Sequence, residues 1–343
     1  MYEVDFLPVG DGEKSGDAIA LRFTNPETGL PAVGIVDSGF RDDGEALVEH
    51  VKREYGTSSV DFVLSTHPDL DHIGGMGVVL RGLDVANLLI HRPGQHGYAG
   101  NSGDTPAEEL VALAEEQGTT VVEPFQGVGG VGGAVLIAGP TQAYYEEMLA
   151  AQEVTTKSAS ATASQGFFGR AGTAVLAEAR AVLDAFPGEI FFGDAGGTNP
   201  RNNSAAILSL LIDGEHILLP SDAGVPAITQ ALDFLDSQGR TASVPRLLAL
   251  PHHGSRHNID RETINRILGD PTSGWRGTVV ASVSSESPKY PSPRVANAAG
   301  RRGYPVYTTA GSKFWSHSSD APARPHYSTA TPLPPLVEDD HDD

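Results

Sequence analysis

Four side chains able to hold a metal ion crowd into the stretch STHPDLDHIGG. His67, Asp69, Asp71 and His72 fall within six residues, directly after the apolar run VDFVL. No Lys or Arg lies between them, so two carboxylates held together there lack a local counter-charge and are strained. One or two divalent cations remove that strain. Alternate residues of an extended turn face opposite sides, so His67 and Asp69 could serve one metal while Asp71 and His72 serve another. A polar turn with His67 as a cap is the competing reading, and the spacing disfavours it. Other apolar runs also end in ligand-type residues: GIVDSG in Asp37, HILLPSDAG in Asp222, and LLALPHHGS in His252 and His253. A lone Asp after a strand is more often a helix cap. Active sites of layered α/β proteins, however, gather at such strand ends. Taken with the His/Asp cluster, these residues form one constellation, suited to hydrolysis by metal-activated water.

Such residues meet only if several strands end at one place. YEVDFLPV, DAIALRF and AVGIVD read as short strands separated by Gly- and Pro-containing turns. GEALVEHVKREYG spaces Leu47, Val48, Val51 and Tyr55 as a helix does, with Gly56 as its stop. VDFVLST is a buried strand running into His67, and VANLLIH another ending at His91. PAEELVALAEEQG follows as a helix, with Pro106 in its first turn. From 141 to 187, TQAYYEEMLAAQEV and TAVLAEARAVLDAF are Ala-rich and helical, joined by TTKSASATASQG, which predicts a helical insertion between two strand-rich halves. GEIFFGD, SAAILSLLID and EHILLPSD resume the strands, with Asp213-Gly214 as a two-residue hairpin turn. PAITQALDFLDSQG, RLLALP, RETINRILG, TVVASVS, PSPRVANAAGRR and PVYTT then alternate helix and strand. The pattern predicts an α/β domain over residues 1–320, its sheets sandwiched between helices, and a disordered Pro-rich acidic tail over 321–343.

At the motif level the chain resembles the metallo-β-lactamase fold superfamily, whose motif H-x-H-x-D-H stands here as His67-x-Asp69-x-Asp71-His72. The Asp variant, the IGG after it and the later PHHGS resemble one branch, the hydrolase domain of the ComEC DNA-uptake protein and its soluble relatives. PVGDGEKSGDAIALRF…GIVDSG, NNSAAILSL and ILLPSDAG are similar to further segments of that branch, with extra residues between Val9 and Asp17. The resemblance covers about residues 3–310 outside the insertion. It implies a four-layer αββα sandwich and one or two divalent metal ions, zinc first and manganese second. It further implies that Asp222 bridges the metals, that Asp71, His72 and His253 hold the second one, that His252 stands behind them, and that Asp37 orients ligands. Two departures bear on the site. Where the superfamily places a third ligand of the first metal, on the strand before Asp222, this chain offers only Asn202 and Asn203, which implies an oxygen-rich or weakly filled first site. Where the branch carries His-Pro, this chain has Tyr290-Pro291, so Lys289 or Tyr290 could take that position's phosphate-contacting or proton-donating part.

Asp71 or Asp37 could accept the proton released by the attacking water. Ser255, Arg256 and His257 could bind a phosphate oxygen, although Arg256 suits a surface position equally. In the first half, His91 and His96 of HRPGQHG could line the pocket or supply a ligand. Composition narrows the substrate. Lys plus Arg number 23 and Asp plus Glu 44, so 23 − 44 gives −21 over 343 residues. Such a surface repels polyanions at long range, which excludes a general nucleic-acid coat protein and leaves nucleotides, short single strands or a substrate delivered by a partner. The absence of cysteine excludes disulfide scaffolds, thiol nucleophiles and thiolate zinc sites. No apolar run of about 18 residues occurs, and MYEVDFLPVG lacks a basic region followed by an apolar stretch. The expectation is a cytoplasmic, metal-dependent phosphodiesterase or nuclease without membrane contact. The alternatives are a hydrolase of a small carbonyl substrate, such as a lactone or thioester, and a non-catalytic metal-binding module. A protein partner could engage the insertion or the tail.

Overall fold

The computed structural model describes residues 1–10, 12–98, 105–163 and 198–338. Two seven-stranded sheets form the centre. In the first, the strands run in the order Phe314–His317, Tyr2–Phe6, Ala18–Thr24, Pro31–Ser38, Phe62–Leu64, Asn87–Leu89 and Thr120–Val122. In the second the order is Val306–Thr308, Thr278–Ala281, Leu247–Ala249, Glu215–Leu219, Ile207–Ile212, Val135–Gly139 and Gly129–Gly130. Each sheet joins an antiparallel part to a parallel part, and the site residues sit where the two parts meet. In the first sheet Pro31–Ser38 pairs antiparallel with Ala18–Thr24 and parallel with Phe62–Leu64. In the second, Glu215–Leu219 pairs antiparallel with Ile207–Ile212 and parallel with Leu247–Ala249.

Strand alternation supplies both faces of each sheet. Val4, Phe6, Leu21 and Leu64 of the first sheet pack on Ile137, Leu208, Leu219 and Val280 of the second. Opposite residues of the first sheet, among them Ala20, Ile35 and Val63, pack on Leu47, Leu80 and Leu110 of the helices Arg41–His50, Met76–Gly82 and Thr105–Glu116. Leu218, Leu248 and Val279 of the second pack on Ile228, Ile264 and Val295 of Val225–Ser237, Arg261–Leu268 and Pro293–Arg301. The layers are therefore helix, sheet, sheet, helix, as the sequence predicts. At the hairpin, Asp213 and Gly214 both take positive φ, 52° and 81°, as a two-residue turn of the primed kind requires. Among the described residues no helix is long and apolar enough to cross a membrane.

Three segments depart from the sequence expectations. The stretch TTKSASATA, read as a joint, continues the helix Gln142–Ala163. The rest of the expected insertion and the expected strand GEIFFGD lie outside the described residues. Phe314–His317, predicted as neither strand nor helix, pairs antiparallel with Tyr2–Phe6 at the edge of the first sheet. Within residues 321–338 of the expected disordered tail most side chains are exposed, but Arg324, Leu333 and Leu336 anchor the segment to the domain. Arg324, 7% exposed, reaches Glu3 at 2.7 Å and Asp5 at 2.7 Å. Leu333 and Leu336 rest against the second helical core, and Leu333 donates its N–H to Val306 O at 2.7 Å. Residues 339–343 lie outside the described residues.

Candidate metal centre

The strand ends deliver the ligand-type residues to one place. His67 follows Phe62–Leu64, and Asp69 begins the short helix Leu70–Ile73 that carries Asp71 and His72. Asp37 lies at the end of Pro31–Ser38, Asp222 follows Glu215–Leu219, and His252 and His253 follow Leu247–Ala249. Four non-glycine residues here, Asp37, Ser221, His252 and His253, have φ between 48° and 59°. Each such left-handed position costs about 1–3 kcal/mol and persists only where its surroundings impose it. Two in succession at His252 and His253 turn consecutive imidazoles into the same site. His252 N donates to Ser221 O at 2.9 Å, which ties the turns after the two strands together.

Asp222 is the hub, and its two oxygens face different partners. Oδ2 lies 3.7 Å from His67 Nε2 and 3.7 Å from His252 Nε2, whereas Oδ1 lies 3.6 Å from His72 Nε2. Asp69 Oδ2 is 3.7 Å from His67 Nε2. Asp71 Oδ2 is 3.9 Å from His72 Nε2 and 4.0 Å from His253 Nε2. These spacings are too long for hydrogen bonds. They suit atoms sharing a cation, since two ligands each about 2.1 Å from a tetrahedral ion stand about 3.4 Å apart. Asp71, His72 and His253 form one group of ligand atoms mutually within 4.8 Å, and Asp17, His72 and Asp222 another. His67 Nε2, His72 Nε2, both nitrogens of His253 and Asp222 Oδ1 are buried without a hydrogen-bond partner among the described residues. Buried polar atoms are ordinarily satisfied. A cluster of unsatisfied lone pairs at one point fits divalent metal.

Hydrogen bonds behind the cluster aim the ring nitrogens. Asp37, fully buried, takes His72 Nδ1 at 2.8 Å on Oδ2 and Thr66 N at 2.9 Å on Oδ1. Thr66 Oγ1 donates to the same Asp37 Oδ2 at 2.7 Å and lies 3.0 Å from His67 Nδ1. With Nδ1 engaged on both rings, Nε2 is the nitrogen that faces the centre. Asp69 is otherwise than the sequence suggests. A counter-charge arrives from far along the chain, with Arg201 Nη1 donating to its Oδ1 at 2.8 Å.

Electrostatics agree with a cation site. Burial pushes Asp222 up, but His252, His72, His253 and His67 together hold it well below the usual carboxylate range. Burial lowers His67 and His253 to about 3, leaving them in the neutral form a metal needs. His72 is held well above the ordinary imidazole value, since Asp222, Asp37 and Asp71 outweigh its burial. Burial raises Asp71 despite the nearby His72, and Asp222 adds to that.

The remaining predicted residues divide. Asp71, His252, His253, Lys289 and Tyr290 line one open cleft of about 470 Å³. The Tyr290 ring lies 5.7 Å from that of His252 and 6.0 Å from that of His253, and its hydroxyl is hydrogen-bonded to Ser255. Ser255 is buried, as is Arg256, which is 6% exposed and so not a surface residue. Asn203 stays out of the cluster and donates to Thr198 O at 3.3 Å. Its neighbour Asn202 enters instead, its Nδ2 3.3 Å from Asp222 Oδ2 and 3.1 Å from His252 Nδ1. Asp37 does not line the cleft, and its carboxylate is committed to Thr66 and His72, which removes it as a proton acceptor for water. His91 is buried on Tyr145 and Phe125 beside a separate void of about 20 Å³, and His96 is held by Glu123 and Glu146. Sequence reasoning missed Thr66, Arg201 and Asp17. Thr66 directly precedes His67, which is the signal that could have exposed it. Asp17, which burial pushes up to about 7, lies 3.8 Å from His72 Nδ1. Its position after Gly16 at the entry to Ala18–Thr24 was the available hint.

Residues 32–144 match the family model of the metallo-beta-lactamase superfamily. Compared with curated proteins, the sequence finds no significant match. Among solved structures it is similar to a metallo-beta-lactamase-like protein of Thermotoga maritima, at 13% identity and TM-score 0.37, over 70% of this chain and 92% of that one. It is similar to a variant of the CmlA beta-hydroxylase at 11% identity and TM-score 0.46, over 92% of this chain and 54% of that one. A metallo-beta-lactamase with an HARLDQ motif from Cronobacter sakazakii shows 11% identity and TM-score 0.35, over 68% of this chain and 70% of that one.

Proposed function

We propose that this chain is a metal-dependent phosphodiesterase acting on nucleotides or short nucleic acid. One observation carries the hydrolytic part: a single buried carboxylate, Asp222, turns one oxygen toward His67 and His252 and the other toward His72. In this reading Asp69, His67, His252 and Asp222 hold one divalent cation, and Asp71, His72, His253 and Asp222 hold a second. His252 thus takes the position that no histidine fills on the strand before Asp222. When bound, divalent metal lowers the pKa of water and polarises the electrophile. The chain's own residues supply the rest. Asp37 and Thr66 fix the two ring orientations. Asp71, 31% exposed on the cleft side, is placed to take up the proton that water loses. Tyr290, beside His252 and His253, is placed to donate to the leaving oxygen. The motif resemblance and the strongly acidic surface favour a small phosphodiester over a long polyanion.

The test is elemental analysis together with a substrate panel. Two divalent ions per chain are expected, with hydrolysis of bis(p-nitrophenyl) phosphate that Asp222→Asn abolishes. Turnover of a lactone or thioester without phosphodiester cleavage would replace this reading with carbonyl hydrolysis. Metal-loaded protein inert toward both classes would leave a binding module.

A further inference from the structure

Two lysines that belong to no ligand set stand on the same cleft. Lys14 comes from the loop before Ala18–Thr24 of the first sheet, and Lys289 from the loop after Thr278–Ala281 of the second. The loops are fastened together. Ser284 N donates to Ser15 Oγ at 3.0 Å and Ser284 Oγ to Gly12 O at 2.5 Å. A Cβ on Gly10 would fall 2.7 Å from Ser284 Oγ, so the approach needs glycine there. The first loop is also fixed to the metal-ligand segment, since Asp17 N donates to Asp71 O at 3.2 Å. Lys14 and Lys289 are exposed, and neither ammonium group has a hydrogen bond or ion pair among the described residues. In a chain with 44 acidic and 23 basic side chains, carboxylate partners are abundant. Two ammonium groups on one cleft therefore offset the acidity of the surface locally. Among the described residues, Glu13 and Asp71 are the carboxylates on that lining, and Asp71 is committed to metal in the reading above.

The cleft also has an apolar side. Leu70, set between Asp69 and Asp71, is 63% exposed and lines it together with Phe40 and Pro288. Exposing a large aliphatic side chain between two ligand residues serves nothing in the core, whereas it gives a flat group a surface to rest on. A volume of about 470 Å³ is that of a small-molecule site.

From this arrangement we infer that Lys14 and Lys289 form an anion subsite next to the metal centre, and that the substrate is a nucleotide-sized phosphodiester carrying a second phosphoryl group beside the scissile one. The inference rests on the phosphodiesterase reading for its reaction but on the two lysines for its recognition. Equilibrium binding separates them without any turnover. Metal-loaded protein is titrated by calorimetry with thymidine 5′-monophosphate and thymidine 3′,5′-bisphosphate. The wild type is expected to bind the bisphosphate about tenfold more tightly, as two charge-assisted contacts to a phosphate allow. In Lys14→Gln/Lys289→Gln that ratio is expected to fall to about one. Lys52→Gln/Arg81→Gln, which removes equal charge away from the cleft, is expected to keep it. Equal affinity for both ligands in the wild type overturns the inference, as does a ratio that survives the Lys14/Lys289 change. If no phosphodiester is cleaved while the lysine-dependent ratio persists, the reaction has been misread and the subsite stands.

Discussion

Replacing Arg324 by methionine tests whether the C-terminal segment is part of the fold. The guanidinium is buried and meets Glu3 Oε1 and Asp5 Oδ1, both on carboxylates with no exposed surface. It also lies 4.6 Å from the Trp315 ring and 5.6 Å from that of Tyr55. Methionine keeps the stem and deletes the charge. Breaking a buried pair by removing one partner costs about 3–5 kcal/mol, because the other charge is left uncompensated. The lower end applies here. Glu3 keeps Arg22 Nε at 2.6 Å, and Asp5 keeps Tyr55 Oη at 2.8 Å and His50 Nε2 at 3.2 Å. A loss of about 3 kcal/mol corresponds to a fall in Tm of about 6 °C in a chain this long, taking about 2 °C per kcal/mol. The pH dependence has a definite sign. Burial pushes Asp5 up, but His50 and Arg324 hold it below the usual carboxylate value. Its contribution is therefore present above the unfolded pKa, about 3.9, and is lost as pH falls through the folded one. The gap between wild type and Arg324→Met should be widest near neutrality and shrink below about pH 4. Thermal unfolding followed by circular dichroism at several pH values reads both effects. A Tm within about 1 °C of wild type at neutral pH, where the full pair strength applies, would refute the assignment of Arg324 as a structural clamp.

Two further predictions concern the centre itself. His252→Ala should bind one divalent ion per chain fewer than the wild type after equilibrium dialysis, with His253→Ala losing an ion from the other side of Asp222. Wild-type metal content in His252→Ala would show that this imidazole is no ligand. Asp37→Asn should lower metal affinity or phosphodiester turnover about 10–100-fold, the usual effect of disturbing a group that orients a ligand. A change of less than about twofold would mean that the charge of Asp37 is not what orients His72.

How much of this was legible beforehand depended on how far each feature reaches along the chain. Strand ends were readable because apolar runs stopped abruptly at His67, Asp37, Asp222 and His252-His253, each pattern spanning fewer than about ten residues. The Arg201–Asp69 pair was not, because 132 residues separate its members and no local spacing encodes it. His252 was placed behind the metals because the last ligand of the family the chain resembles commonly precedes a glycine, as His253 does and His252 does not. Two consecutive left-handed residues turn both imidazoles into the site, and nothing in the letters HH announces them. The tail was misjudged for a different reason. Its Pro-rich, apolar-poor composition does describe a segment with little to bury. What fixes it instead is one arginine over two acids, with Leu333 and Leu336 on the second helical core, and those acids alternate with Val4 and Phe6 in the strand Tyr2–Phe6. Burial of Glu3 and Asp5 is decided by Tyr55, His50 and Arg324, each distant in sequence.

The costs gathered at the centre argue that a ligand set, rather than a relic, holds it in shape. Each buried lone pair left unsatisfied at His67, His72, His253 and Asp222 costs about 1–3 kcal/mol. Strained backbone at Asp37, Ser221, His252 and His253 adds a similar cost at each position. Charges of this size, set against a total stability of about 5–15 kcal/mol, are tolerable only if something bound offsets them or if the surrounding layers are rigid enough to carry them. The layers do carry the strain, since Gly16, Gly74 and Gly75 let backbone segments close on one another so tightly that an added Cβ would meet carbonyl oxygens at 2.3–2.5 Å. Rigidity cannot satisfy lone pairs, however. A closed structural metal site would account for the orphaned atoms but not for a cleft that reaches Asp71, His252 and His253 from solvent. Unsatisfied ligand atoms, imposed strain and open access occur together at this centre, the combination that the proposed metal-dependent hydrolysis requires.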